Sequence, residues 1–221
     1  EFAIPVSNGM ERRPALIIPN AEGVYDKVAI YKSKKSEEPI VVLDQLQLVV
    51  SDILDTVTKG GNKVEVARQA ILIELEADGS RVELWWGNAM EAANDMLFHP
   101  KSLLTQIREN VGEIRSVSMM IGDTPKCANE IFAPLWESYS EWQGNAMNYL
   151  MEANGYEIVF SHLHNVDIAG HTFWELAKYR PNKEFYDEKL FQDVMERFYV
   201  DTDVYLGRFM HLLDKGWDII I

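Results

Sequence analysis

Three of the chain's five histidines fall in one stretch, Phe160-Ser161-His162-Leu163-His164-Asn165-Val166-Asp167-Ile168-Ala169-Gly170-His171. Asp167 and His171 stand four apart, so a helical turn would aim both side chains the same way. A hard carboxylate oxygen beside a borderline imidazole nitrogen suits zinc or another first-row divalent ion. Two ligands do not hold a metal by themselves, and Asp-x-x-x-His spacings also arise by chance, so the context has to decide. An apolar run at 156–162 reads as a buried strand that leads straight into a polar loop at 163–174. In α/β sheets, binding sites lie beyond the carboxyl ends of the strands. Asp167 and His171 are therefore the expected metal ligands; His164, which can line the site, and its neighbour Asn165 are the substrate-binding candidates. A hydrogen-bonded structural histidine is the plainer reading of His162 and His164. His99 reads as a loop residue and His211 as a partly exposed neighbour of a helix stripe.

The elements around this stretch must position it. Phe132, Leu135, Trp136, Tyr139, Trp142, Ala146, Tyr149 and Leu150 recur at steps of three and four, which predicts a long helix stopped by Asn154-Gly155. A second long helix is expected at 183–215, with Leu190, Val194, Phe198, Leu206 and Phe209 on its stripe, and a further strand at 218–221. Helix, strand, loop, helix, strand is the rhythm of a parallel α/β sheet. Its two strands, 157–161 and 218–221, are expected to be neighbours.

Upstream the pattern is different. Residues 1–26 carry Pro5, Pro14, Pro19, Gly9 and Gly23 and read as an irregular lead-in. The pair Arg12-Arg13 there could meet an anion, although a solvated loop is the plainer reading. Residues 64–77 and 81–86 alternate, with Ile71, Ile73 and Leu75 on one side and Val82, Leu84 and Trp86 on the other strand's matching side. Asp78-Gly79 between them is a hairpin turn signal. A helix at 101–110, opened by Pro100, and a loop at 122–125 follow. The division expected is 1–26 lead-in, 27–126 β-rich insertion or cap, and 127–221 α/β core carrying the metal motif.

The formal net charge of −14, from 35 acidic and 21 basic residues, disfavours nucleic acid and anionic membranes as partners. A small anionic substrate stays possible, because bound divalent ions reverse the local field. A single cysteine, Cys127, cannot form an internal disulfide, which leans towards a cytoplasmic location. No run is apolar enough to span a bilayer. The apolar end, Asp218-Ile219-Ile220-Ile221, reads as a strand cut short, so an interior segment of a longer protein is expected.

His164-Asn165-Val166-Asp167-Ile168-Ala169-Gly170-His171 resembles the metal motif of the alkaline phosphatase superfamily, in its type I phosphodiesterase and nucleotide pyrophosphatase branch. Downstream, Asp203 to Gly207 matches that family's Asp-x-x-x-Gly in a long helix, and Asp218-Ile-Ile-Ile matches its next strand. The resemblance covers residues 150–221. It implies an alkaline-phosphatase-like parallel sheet with flanking helices and a small antiparallel β insertion. It also implies a metal-dependent phosphoester hydrolase with two divalent ions, zinc being favoured, and a small nucleotide or phosphodiester substrate. The nucleophile, a Thr or Ser, and a Ser-Asp-His-Gly motif supplying further ligands would lie outside this chain, so the segment alone is expected to be inactive. Val41-Val42-Leu43-Asp44 superficially matches the family's early strand and metal-binding Asp, but a strand-end surface carboxylate is the plainer reading of Asp44. The alternatives are a non-catalytic binding module keeping the fold, or a superfamily mutase or sulfatase.

Overall fold

The computed structural model describes residues 1–6, 11–45, 49–117, 125–177 and 187–221. The chain divides into two compact units, Glu1–Ser116 and Val117–Ile221.

The first unit is built on antiparallel sheet. Strands β1 (Phe2–Val6), β2 (Glu11–Pro19), β3 (Tyr25–Ile30) and β4 (Val41–Asp44) form one four-stranded sheet in that order. Strands β5 (Val50–Lys59), β6 (Asn62–Leu75) and β7 (Val82–Trp86) form the second, with β8 (Met90–Glu91) also pairing β6. Ile4, Ala15, Val28, Ile30 and Leu43 of the first sheet share one buried cluster with Ile53, Ala70, Leu72 and Leu75 of the second. The two inner faces thus make a sandwich core.

The expected hairpin is present. Leu75 pairs with Val82 and Leu72 with Leu84. Gly79 takes φ 71°, and the Asp78 carboxylate accepts from Ser80 N at 2.9 Å. A register shift between Leu72 and Glu74 changes which residues face inward. Ala70, Leu72 and Leu75 therefore join the sandwich cluster, and Ile71 is buried outside it, so the one side expected for Ile71, Ile73 and Leu75 is split. The lead-in at 1–26 also needs correction, because it contains β1 and β2. Its prolines sit within an antiparallel ladder, with Pro5 opposite Arg12 and Pro14 opposite Ala3. Proline lacks only a donor, so it is tolerated wherever the ladder does not use that N–H. Helix α1 (Ser102–Asn110) follows as expected and stops before Gly112 at φ 121°.

The second unit is helical. A short turn, α2 (Pro125–Cys127), runs through a π-helical turn at Ala128–Phe132 into α3 (Ala133–Asn154). Gly155 ends α3 in the left-handed conformation at φ 62°. Helix α4 (Asn165–Phe173) and a 3-10 turn (Trp174–Ala177) come next. Helix α5 (Glu188–Gly207) is capped by Asp187, whose carboxylate accepts from Leu190 N at 2.9 Å. The second long helix is thus shorter than expected. It ends at Gly207, a 3-10 turn covers Met210–Lys215, and residues 183–186 lie outside the described residues, as do 122–124 of the expected loop.

Phe132, Phe173 and Phe198 bind these helices together. All three are fully buried. Phe132 meets Phe173 edge-on at 5.1 Å between centroids and Phe198 at 5.4 Å. Burying a side chain of this size stabilises by about 1.5–3 kcal/mol.

The expected parallel sheet is overturned. Every paired strand among the described residues is antiparallel, and all of them lie in the first unit. Residues 156–162 and 218–221 form no strand and belong to no sheet. Val159, Ser161 and Leu163 alternate with the exposed Ile158, Phe160 and His162, and Ile158 and Phe160 are each 90% exposed. The inward set, with Phe160 also bordering it, lines an apolar groove of about 440 Å³ with Met147 and Met151 of α3 and Tyr205 and Leu206 of α5. An apolar run between helices therefore satisfies its side chains on one side without becoming a strand, because a strand also needs a backbone partner. No helix among the described residues is long and apolar enough to cross a membrane.

Candidate metal centre

The stretch expected to be a polar loop is helix α4 from Asn165 onward. Helical spacing puts Asp167 and His171 on one face, as the four-residue interval requires. His171 Nε2 lies 3.5 Å from Asp167 Oδ1. On the other carboxylate oxygen, His164 Nε2 lies 2.6 Å from Asp167 Oδ2. Asp167 is thus flanked by an imidazole on each side. The side chains of His164, Asp167 and His171 are 46%, 55% and 79% exposed, so a dissolved ion can reach them. The His162 ring lies against that of His164, with centroids 4.9 Å apart.

Asn165 is placed differently. It is 1% exposed, and its amide donates to Asp201 Oδ2 at 2.9 Å and Thr202 Oγ1 at 3.0 Å. Its carbonyl oxygen accepts from Val166 N at 2.7 Å. From there it serves the site by tying the first turn of α4 to α5, rather than by meeting a ligand from solvent.

The anchor at the other end of that tie, Asp201, was not singled out from the sequence. Its carboxylate also accepts from Ser140 Oγ of α3 at 2.6 Å. Burial pushes the Asp201 carboxyl above its ordinary range, while the Ser140 and Asn165 hydrogen bonds and Arg208 pull it back and Glu137 adds to the rise. A signal for it existed: Val194, Phe198, Asp201 and Tyr205 follow each other at steps of four, three and four, which puts a carboxylate on the buried stripe of α5. The resemblance pointed two residues further on, to Asp203, which is exposed, as is Gly207. A second tie holds the segment before α4. Ser161 Oγ and Tyr205 OH lie 2.7 Å apart, and Gln143 Nε2 donates to Ser161 Oγ at 3.1 Å and to His162 O at 3.0 Å.

The remaining candidates sit elsewhere. Asp44 ends β4 in the first unit and pairs with Lys27 Nζ at 3.5 Å. His211 faces Glu152 at 3.9 Å on the helical surface. Arg13, once a candidate for anions, is buried in the sandwich. Its Nε donates to Asp55 Oδ2 at 2.9 Å and its Nη2 to Thr56 O at 2.9 Å.

The donor chemistry at Asp167 and His171 fits a divalent ion of the zinc type. The geometry is that of a half-site, since among the described residues no three His, Cys, Asp or Glu side chains are grouped to hold a metal by themselves. No protein-family model, curated protein or solved structure matches the chain.

Proposed function

We propose that this chain carries half of a divalent-metal site of a phosphoester hydrolase, of the phosphodiesterase or nucleotide pyrophosphatase kind. The observation that carries the reading is the pairing of Asp167 Oδ1 and His171 Nε2, 3.5 Å apart on an exposed face of α4. Asp167 and His171 would hold one ion, zinc by the softness of the donors, and the family resemblance supplies the case for a second. When bound, such ions polarise a phosphoryl oxygen and make an attacking hydroxyl more acidic. His164 stands beside the pair with its side chain half-exposed, which leaves it able to meet a substrate, and Asn165 holds the helix that carries the pair. The reading assigns no nucleophile to these residues. The substrate class is a small phosphorylated molecule; a net charge of −14 argues against a nucleic acid chain or an anionic membrane. The single cysteine supports a cytoplasmic location.

Equilibrium dialysis against zinc tests the metal site. Two protein ligands hold an ion only weakly, so the wild-type chain is expected to take up one ion at high zinc concentration, and His171→Ala to lose most of that uptake. A wild-type chain that takes up no zinc, or a His171→Ala chain that takes up as much, sinks the reading. With a chromogenic phosphodiester and zinc present, the chain alone is expected to give no turnover. Zinc-dependent turnover abolished by His171→Ala would mean that the nucleophile lies within these residues.

A further inference from the structure

The half-site contains one contact that ligation by Asp167 and His171 does not use. His164 Nε2 approaches Asp167 Oδ2 at 2.6 Å, closer than His171 Nε2 comes to Oδ1 at 3.5 Å. The first distance is a hydrogen bond to a carboxylate; the second is too long for a good one. The two oxygens of Asp167 are therefore in different states. Oδ2 is engaged, and Oδ1 is turned towards the ring of His171.

We infer that His164 is the positioning residue of this metal half-site, with its Nε2–H holding Asp167 so that Oδ1 is presented beside His171; this rests on the metal reading above. An exposed aspartate turns freely about two side-chain bonds, and a ligand that must first be ordered binds its ion more weakly. A hydrogen bond to the oxygen away from the metal removes that freedom and fixes which oxygen coordinates.

His164 is itself well placed for the task. Its carbonyl accepts from Ile168 N at 3.1 Å at the start of α4. Its ring lies against His162, whose carbonyl is held by Gln143. The next residue is Asn165, fixed by Asp201 and Thr202. The imidazole thus sits on a backbone anchored to α3 on one side and to α5 on the other. Asp167 follows two residues after that anchor, which leaves its carboxylate as the loose part that His164 restrains.

Cobalt(II) alone, titrated to high concentration into the 221-residue chain because two protein ligands bind it weakly, and followed by visible absorption, separates the possibilities. The absorption reports both affinity and the number and kind of donors. His164→Ala is expected to weaken cobalt binding about 10- to 100-fold while leaving the band shape at saturation unchanged. His164→Gln places an amide nitrogen where Nε2 stood, and is expected to restore most of the affinity. In the metal-free chain, nitrogen NMR of the imidazoles is expected to show His164 protonated at Nε2, with a shift on Asp167→Asn. If His164→Ala binds cobalt as wild type does, His164 positions nothing and the inference fails while the metal reading stands. If His164→Ala changes the band shape and Gln does not restore binding, His164 is a ligand and the positioning role is overturned. If the wild-type chain gives no cobalt absorption, or His171→Ala leaves it unchanged, the metal reading itself fails and takes this inference with it.

Discussion

Each unit withdraws a carboxylate from solvent, Asp55 fully and Asp201 in part, and the two are treated in opposite ways. In the sandwich, Asp55 is fully enclosed and meets the Arg13 guanidinium through Nε at 2.9 Å and Nη2 at 3.1 Å. The charge is matched, and the pair ties β2 of one sheet to β5 of the other. In the helical unit, Asp201 meets no cation at ion-pair distance among the described residues. Its hydrogen bonds come from neutral groups, Ser140 and Asn165. The Arg13 guanidinium offsets much of the desolvation of Asp55, whereas neutral donors only partly offset that of Asp201, so burial pushes the Asp201 carboxyl above its ordinary range. The difference teaches where the chain keeps stability and where it spends some. The paired charge sits in a scaffold far in sequence from any candidate chemistry. The unmatched carboxylate sits directly under the helix that carries Asp167 and His171.

The largest expected effect breaks the matched pair. Arg13→Leu leaves Asp55 charged and unpartnered in the interior, at a cost of about 3–5 kcal/mol. Denaturant unfolding should show that loss, and the double change Arg13→Leu with Asp55→Leu should recover most of it. A single variant as stable as the double one would mean that the pair does not operate as a matched unit.

Next is the unmatched side. Asn165→Ala removes a donor from half-buried Asp201 and Thr202 and should cost about 1–3 kcal/mol. Amide hydrogen exchange resolved by segment should place the lost protection in α4 and α5 and leave the sandwich untouched. Protection lost equally in both units would contradict the division of labour.

Smaller effects separate two glycines that share a backbone conformation. Gly79 in the sandwich hairpin (φ 71°) and Gly155 at the end of α3 (φ 62°) are both left-handed. A Cβ on Gly79 would lie 3.0 Å from the Tyr25 ring, whereas nothing lies within 4 Å of one on Gly155. Each alanine should carry the left-handed penalty of about 1–2 kcal/mol, with Gly79→Ala the worse of the two. Equal melting temperatures for the two variants would show that the Tyr25 contact yields freely.

The subtlest test is pH. Hydrogen bonding from Thr58, with Arg13 and Lys63 adding to it, holds the Glu11 carboxyl down at about 2 against an ordinary 4.5. Its contribution is present above 4.5 and is lost as pH falls towards 2. Asp201 is raised from 3.8, so the folded state keeps its proton longer than the unfolded one does. Its contribution to stability therefore falls as pH rises above 3.8. Segment-resolved exchange between about pH 3 and 7 should show opposite slopes from the two groups. Asp201→Asn should flatten the decline in α3 and α5 and leave the β2 and β5 protection alone; an unchanged slope would remove Asp201 as its source.

What the sequence determined by itself was local. The spacing of apolar residues placed α3 and most of α5, Asn154-Gly155 marked the end of α3, Asp78-Gly79 located a hairpin, and the interval from Asp167 to His171 put two donors on one face. Each of these depends on neighbours a few residues away, within reach of a single helical or strand period. The tertiary structure decided what depends on distant partners. The runs at 156–162 and 218–221 look like strands to any local pattern, yet an apolar segment laid on helices has the same pattern, and only a hydrogen-bonding neighbour makes it a strand. The bulge after Leu72 exchanged the core face of β6, because register is set by the opposite strand. Asp201 joined the candidate site because α3, α4 and α5 close around it, 36 residues from Asn165 in the chain. His164 found its partner because α4 begins one residue later than it and swings Asp167 back towards its ring. Burial and pairing are free energies between segments far apart in the chain, and no interval within one segment contains them.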